Sequence, residues 1–246
     1  MLLYGLMILI DVALVIHVLK TGRNTIWIWV VVMLPMAGVV AYFIMEILPD
    51  LSRSRSARRI VSTAKRTIDP TGDLRKAHLK LRVNDSIDSR RRVADELCHS
   101  GRYADAIDYY QQALSGLYEH DPHLLLGLAR AQFELGEATY TRETLDRLIK
   151  ENPDFRSPDG HLLYARSLEI EGNVAKATEE YETLAKYYPG AEARYRFASI
   201  LKKTGKTQQA NEVLSQLVND SEIATKHYRK AQAQWLSMAK RDLQGG

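Results

Sequence analysis

The chain has 246 residues, enough for one substantial domain and a smaller element, and a modest net charge of +4. That charge is unevenly placed: residues 1–50 carry two Lys/Arg against three acids, residues 51–92 thirteen against four, and residues 93–246 nineteen against twenty-three. The single cysteine, Cys98, excludes an intramolecular disulfide, and the basic excess, confined to one segment without interleaved aromatics, argues against nucleic-acid binding.

In chain order, the first element is a pair of apolar stretches. Leu2 to Leu19 is interrupted only by Asp11 and His17, and Thr25 to Leu48 is apolar until Glu46. Each is near the roughly 20 residues that a spanning helix needs, and the polar link from Lys20 to Asn24 leaves room only for a tight turn. Residues 1–48 therefore read as a two-helix transmembrane hairpin. A cleaved signal peptide fits less well, because the start has no basic region and a second apolar run follows at once. Arg53, Arg55, Arg58, Arg59, Lys65 and Arg66 follow the second stretch with no acid between Leu51 and Ile68. Lys and Arg near span ends stay on the cytoplasmic side. This places the chain in a membrane, in a bacterial cell the inner one, with the remainder cytoplasmic and a periplasmic location as the alternative. Asp11 is read as a polar contact within the hairpin or with a partner span, since an ionised carboxylate at mid-bilayer costs about 2.5–3.5 kcal/mol.

The second stretch carries Trp27, Pro35, Gly38 and Tyr42. That spacing resembles the N-terminal membrane region of phospholipase D-type proteins, including cardiolipin synthases, and the resemblance covers about the first 48 residues. It implies an anchor, with no catalytic residues there. His78, Lys80 and Asp85 do match the His-x-Lys-x4-Asp catalytic spacing of the same proteins. That chemistry needs two such motifs on an α/β scaffold, whereas here one motif stands in a helical stretch and lacks the Gly and Asn that follow it in the family. The expectation is that the chain has no catalytic site and is not an enzyme.

Residues 49–86 read as a basic helical linker. Asp69-Pro70-Thr71-Gly72-Asp73 stops one helix and starts another that runs through Arg82. The six cations from Arg53 to Arg66 form a surface that anionic lipid would attract, at about 1 kcal/mol for each Lys or Arg close to the membrane.

Residues 87–220 are repetitive. Gly101, Gly136, Gly172 and Gly205 each fall between two amphipathic stretches, at intervals close to the period of 34 that marks tetratricopeptide repeats. Small residues recur at Ala94, Ala129, Ala165 and Ala198 in the first helix of each pair, and at Ala106, Thr141, Ala177 and Ala210 in the second. A larger residue follows at Tyr110, Leu145, Tyr181 and Leu214, and Pro153 and Pro189 close two of the pairs. The pattern resembles the tetratricopeptide family. The expected fold is all-α: a hairpin, then an α-solenoid of about four helix pairs, then one capping helix in residues 221–246 whose apolar stripe includes Tyr228, Trp235, Met238 and Leu243.

The family resemblance implies a groove lined by the first helix of each pair. It maps to Arg91, Asp95, Cys98 and His99, to Leu126, Arg130 and Phe133, to Leu162, Arg166 and Glu169, and to Tyr195, Ser199 and Lys202. Arg91, Arg130, Arg166 and Lys202 would form a basic ladder, and Arg forks match carboxylates, so the expected partner is an acidic or carboxylate-ended peptide. No cofactor and no metal is expected. The run Glu119-His120-Asp121-Pro122-His123 is read as a loop between helices. The function this predicts is a membrane-held scaffold for a protein partner, with an accessory subunit contacting its complex through the hairpin as the alternative.

Overall fold

The computed structural model describes residues 71–244 together with Ile16, Lys20, Trp29, Val30 and Met33. Apart from those five residues, the stretch read as a hairpin lies outside the described residues, as does the basic run from Arg53 to Arg66. Among the described residues, no helix is long and apolar enough to cross a membrane.

Four helix pairs follow a leading helix, α1 (Gly72–Val83): α2 (Ile87–His99) with α3 (Tyr103–Ala113), α4 (Pro122–Glu134) with α5 (Ala138–Glu151), α6 (Pro158–Ile170) with α7 (Val174–Tyr187), and α8 (Ala191–Lys203) with α9 (Thr207–Ile223). Two short helices, α10 (Lys226–Ala231) and α11 (Ala233–Gln244), complete the chain, and no strand occurs among the described residues.

Each pair is closed by the same device. Gly101, Gly136, Gly172 and Gly205 all adopt positive φ, between 74° and 90°, a conformation open to glycine at little cost. The following residue's N–H then reaches back five positions to the first helix: Arg102 to the Leu97 carbonyl, Glu137 to Gln132, Asn173 to Leu168 and Lys206 to Leu201, all at 2.8–2.9 Å. This is the Schellman closure, which satisfies carbonyls that the helix end leaves without partners.

The small residues sit where the paired helices approach. Ala94, Ala129, Ala165, Ala198, Ala106, Ala177 and Ala210 are all fully buried. Thr141 takes the place of alanine in the second pair and is equally buried; its hydroxyl donates to the Glu137 carbonyl one turn back at 2.8 Å. That bond removes the cost of burying a bare hydroxyl, and it explains why this departure from the repeat is tolerated. The larger residues Tyr110, Leu145, Tyr181 and Leu214 fill the space beyond, each at most 3% exposed.

The core runs along the array. Leu124, Leu128 and Ala131 of α4 pack with the first pair, while Leu125, Leu126 and Ala129 of the same helix join the core of the later pairs. A helix shared by two interfaces needs apolar residues around much of its circumference, which accounts for the unbroken Leu124-Leu125-Leu126. Burying a leucine side chain contributes about 1.5–3 kcal/mol, so this one helix carries much of the coupling between neighbours.

The C-terminal stripe is not the single capping helix that its periodicity predicts. Thr225 caps α10 by accepting from the Tyr228 N–H at 3.2 Å. The helix then breaks at Gln232, whose side-chain carbonyl accepts the Ala191 N–H at 2.9 Å. Gly190, the residue before α8, has no side chain with which to cap that helix, and Gln232 does so from 41 residues away. Beyond the break, α11 packs on both α8 and α9, as the first helix of a further pair would.

Gly127 is a sharp test of this packing. A Cβ placed there would lie 2.6 Å from the Tyr110 ring. Glycine to alanine inside a helix normally stabilises by about 1 kcal/mol; here Gly127→Ala is expected to destabilise by about 1–3 kcal/mol through overpacking. A lowered urea midpoint at unchanged slope is the expected reading, and a raised midpoint would show that the Tyr110 ring yields freely.

Candidate interaction surface

The first helices of successive pairs pack on one another, α2 on α4 and α4 on α6. That side of the array is therefore the inner curve. A cleft of about 620 Å³ opens on it, lined by Tyr103, Tyr188, Cys98, His99, Arg130, Glu134, Asp159, Arg166 and Glu192, with the largely buried Leu162 and Leu163 reaching it from the core.

The residues assigned to the groove separate into three sets. Cys98, His99, Arg130, Leu162 and Arg166 come together in this cleft, and Phe133 lies beside them with its ring 4.5 Å beneath the Arg166 guanidinium. A second set is committed to the fold. Leu126 is 7% exposed and reaches the N-terminus of α6 at Gly160, so it joins two helices and offers no groove surface. Asp95 accepts the Tyr110 hydroxyl at 2.6 Å, and Glu169 accepts the Tyr181 hydroxyl at 2.8 Å. Burial, then the adjoining carboxylate for Tyr110, pushes both phenols far above their ordinary value, so both stay neutral donors. The third set, in the last pair, is occupied by the C-terminal helix. The Lys202 ammonium donates to the Asp242 carbonyl at 2.7 Å, and the Tyr195 hydroxyl donates to the Asp242 carboxylate at 3.1 Å with its ring against Trp235. Ser199 is half-buried on the same helix, and Arg91 is paired with Asp88 at 3.0 Å.

The two middle rungs of the basic ladder are therefore ion pairs. Arg130 lies 3.6 Å from Asp159, and Arg166 lies 3.6 Å from Glu192. Each arginine meets an acid from the first turn of the next pair's leading helix. The cleft lining holds Glu134, Asp159 and Glu192 against Arg130 and Arg166, so its charge is mixed and not basic. Sequence reasoning missed these acids because it compared like positions; the partners come from a different position one repeat later. Arg196 was missed too. Its guanidinium holds Glu192 at 2.7 Å and Glu169 at 3.1 Å and lies over the Trp235 ring, joining α6, α8 and α11.

His78, Lys80 and Asp85 do not assemble. His78 packs edge-on to Tyr109 in the first pair, and Asp85 is held by Arg90 through two bonds of 2.8 Å. In the loop before α4, Asp121 accepts the His123 and Leu124 N–H groups as the helix cap, and His123 packs edge-on to Phe155. Among the described residues, no group of three or more metal-ligating side chains occurs.

Residues 97–167 match one tetratricopeptide-repeat family model, and residues 192–221 match another. These are tetratricopeptide repeats. No curated protein matches the chain. Among solved structures, the fold is similar to that of MamA, at 18% identity over 65% of this chain and 93% of that one, with a TM-score of 0.56. It is similar also to MamA 41-end from Desulfovibrio magneticus RS-1, at 12% identity over 68% and 95%, with a TM-score of 0.58. YrrB, a TPR protein with an unusual peptide-binding site, matches at 16% identity over 67% and 82%, with a TM-score of 0.51. At these identities the likeness is one of fold.

A second cavity of about 330 Å³ lies where α5, α6 and α7 meet, walled by Leu145, Leu148, Phe155 and Tyr164. His161 spans its polar edge, with Nε2 2.6 Å from Glu180 and Nδ1 2.6 Å from the Tyr187 hydroxyl.

Two predictions follow from these contacts. Arg166 is half-buried but its ion pair is long, at 3.6 Å, so Arg166→Ala is expected to cost about 1 kcal/mol, whereas Arg196→Ala, which takes a close donor from each of two half-buried carboxylates, is expected to cost about 2 kcal/mol; urea midpoints would rank them, and equal values would refute the distinction. The second concerns Glu180, whose pKa is lowered from 4.5 chiefly by the hydrogen bond from His161. A lowered carboxylate stabilises the fold above its unfolded value and loses that contribution as pH falls through the folded value. Thermal melts on acidification should therefore fall less steeply in Glu180→Gln than in the wild type, starting from a lower value near neutrality.

Proposed function

We propose that this chain is a membrane-held scaffold that captures a segment of a protein partner on the inner face of its first three repeats. The observation that carries the reading is the open cleft between α2, α4 and α6, where the Tyr103 and Tyr188 rings adjoin an Arg130–Asp159 ion pair that is loose enough to be exchanged. Arg130 and Asp159 are each more than half exposed, and such pairs hold together by no more than about 1 kcal/mol. A ligand carboxylate can replace Asp159 on Arg130 with a better bidentate geometry. The acid set free then needs a cation from the same ligand. The partner segment is accordingly one of mixed charge with an apolar residue to pack against the half-buried Tyr103 and Tyr188 rings, and not the purely acidic peptide that a basic ladder calls for.

The apolar stretches of residues 1–48 supply the membrane half of this reading, and the cations from Arg53 to Arg66 supply its cytoplasmic orientation. Tethering raises the effective concentration of the groove toward a partner in the same membrane, so a modest groove affinity suffices.

A pull-down from solubilised membranes with the intact protein, set beside an Arg130→Glu/Arg166→Glu variant, tests the groove. The variant should lose the proteins that the wild type retains while keeping its fold by circular dichroism. An identical set of retained proteins would refute groove recognition.

A further inference from the structure

The leading helix α1 is built differently from the repeats it precedes. Leu74 and Ala77 face the core of the first pair, with Leu81 packed against them. Two other apolar residues face away. Leu79 is 54% exposed and Val83 is 89% exposed. They are one turn apart and form a contiguous apolar spot.

On α1 itself the neighbours of that spot are mostly cationic, while Asp88, Asp95 and Glu96 of α2 lie toward its inner edge. On a helix the surface neighbours of a residue lie three and four positions away. For Leu79 these are Arg75, Lys76, Arg82 and Val83; Lys80 adjoins Val83. Lys80 and Arg82 are exposed, and the sole acid of the helix, Asp73, lies 3.5 Å from Lys76. On the adjoining α2, Arg90, Arg91 and Arg92 are engaged by Asp85 or Asp88, and Asp88 and Arg92 line the same hollow as Leu79 and Val83.

We propose that the Leu79–Val83 face of α1, ringed by Arg75, Lys76, Lys80 and Arg82, rests on an anionic lipid surface. It rests on the membrane half of the function proposed above and adds a second, reversible contact to it. Three features favour lipid over an acidic protein as the occupant. Lysine is depleted from the centres of protein interfaces, yet here it flanks the apolar pair directly. Long cationic side chains can reach headgroups while their methylenes extend the apolar spot. An apolar face bordered by Lys and Arg on a short helix is the pattern of helices that lie in the plane of a membrane surface. The chain leading into α1 adds six further cations and no acid between Leu51 and Ile68.

The test uses the full-length protein with Cys98→Ser and an environment-sensitive nitrobenzoxadiazole probe on Val83→Cys. It is mixed with vesicles of phosphatidylcholine alone or with phosphatidylglycerol added. The expected result is at least a doubling of emission with a blue shift on the phosphatidylglycerol vesicles only. The change should disappear at about 1 M salt, where the screening length falls to about 3 Å. Lys80→Glu/Arg82→Glu, which alters only exposed positions and keeps the probe, should abolish it, while the same probe on Leu117→Cys should stay unchanged. No emission change on either vesicle, or an equal change on both, would overturn the proposal. A change with double-stranded oligonucleotide or polyglutamate but not with phosphatidylglycerol would overturn it in favour of an acidic polymer. Flotation with phosphatidylcholine vesicles reports the hairpin separately: failure there removes the anchor, while the phosphatidylglycerol-dependent emission still decides the role of α1.

Discussion

Every pair in the array depends on one constraint: two helix backbones must approach closely immediately after a reversal of chain direction. The left-handed glycine makes the reversal, and a side chain no bulkier than threonine permits the approach. Neither works alone. A glycine turn followed by bulky residues would splay the helices, and alanines without the turn would have no partner to approach. Because both recur four times, the repeats are alike in backbone even where their side chains differ. Thr141 shows how narrow the tolerance is, since its hydroxyl is accepted only by bonding to its own helix.

The same repetition brings charges into register. Stacking one pair on the next sets the first turn of a leading helix beside the middle of the previous one. Arginine in the middle and acid in the first turn then pair across the interface, as Arg130 does with Asp159 and Arg166 with Glu192. Where the pair is loose and exposed, as between Arg130 and Asp159, it contributes little to stability, and it remains available to a ligand. Where it is drawn inward, as Arg196 is between Glu169, Glu192 and the Trp235 ring, it locks the helices together. The array thus uses one kind of contact for two purposes, and burial decides which.

How much of this is legible in the sequence depends on the range of the interaction. The turn glycines and the alanines at the close approaches are legible because each answers a local demand that recurs at a fixed interval. The side-chain partners are not, because they join unlike positions in different repeats: Asp95 looks like a groove residue until Tyr110 is seen to donate to it. The break at Gln232 is hidden for the same reason. The stripe of apolar residues continues across it, and its cause is the bare N-terminus of a helix 41 residues earlier. The candidate groove was legible as a face but not in its charge, since the acids that balance its arginines are first-turn residues with an ordinary role at helix starts.

The closure at the C-terminus also sets how much of the groove can act. A solenoid end exposes an apolar face and must be covered. Here α11 covers it by taking the place of a fifth leading helix, and in doing so it engages Tyr195 and Lys202, the positions through which the fourth repeat would meet a ligand. At the other end Arg91 is paired within its own helix and Asp95 is tied to Tyr110. What remains open is the middle of the inner face, around Arg130, Phe133 and Arg166. A segment seated there would touch three leading helices at once, α2, α4 and α6, whose mutual packing defines the curve. Binding would therefore stiffen the array where it bends, and the apolar residues of α4, shared between two cores, would carry that stiffening to both sides.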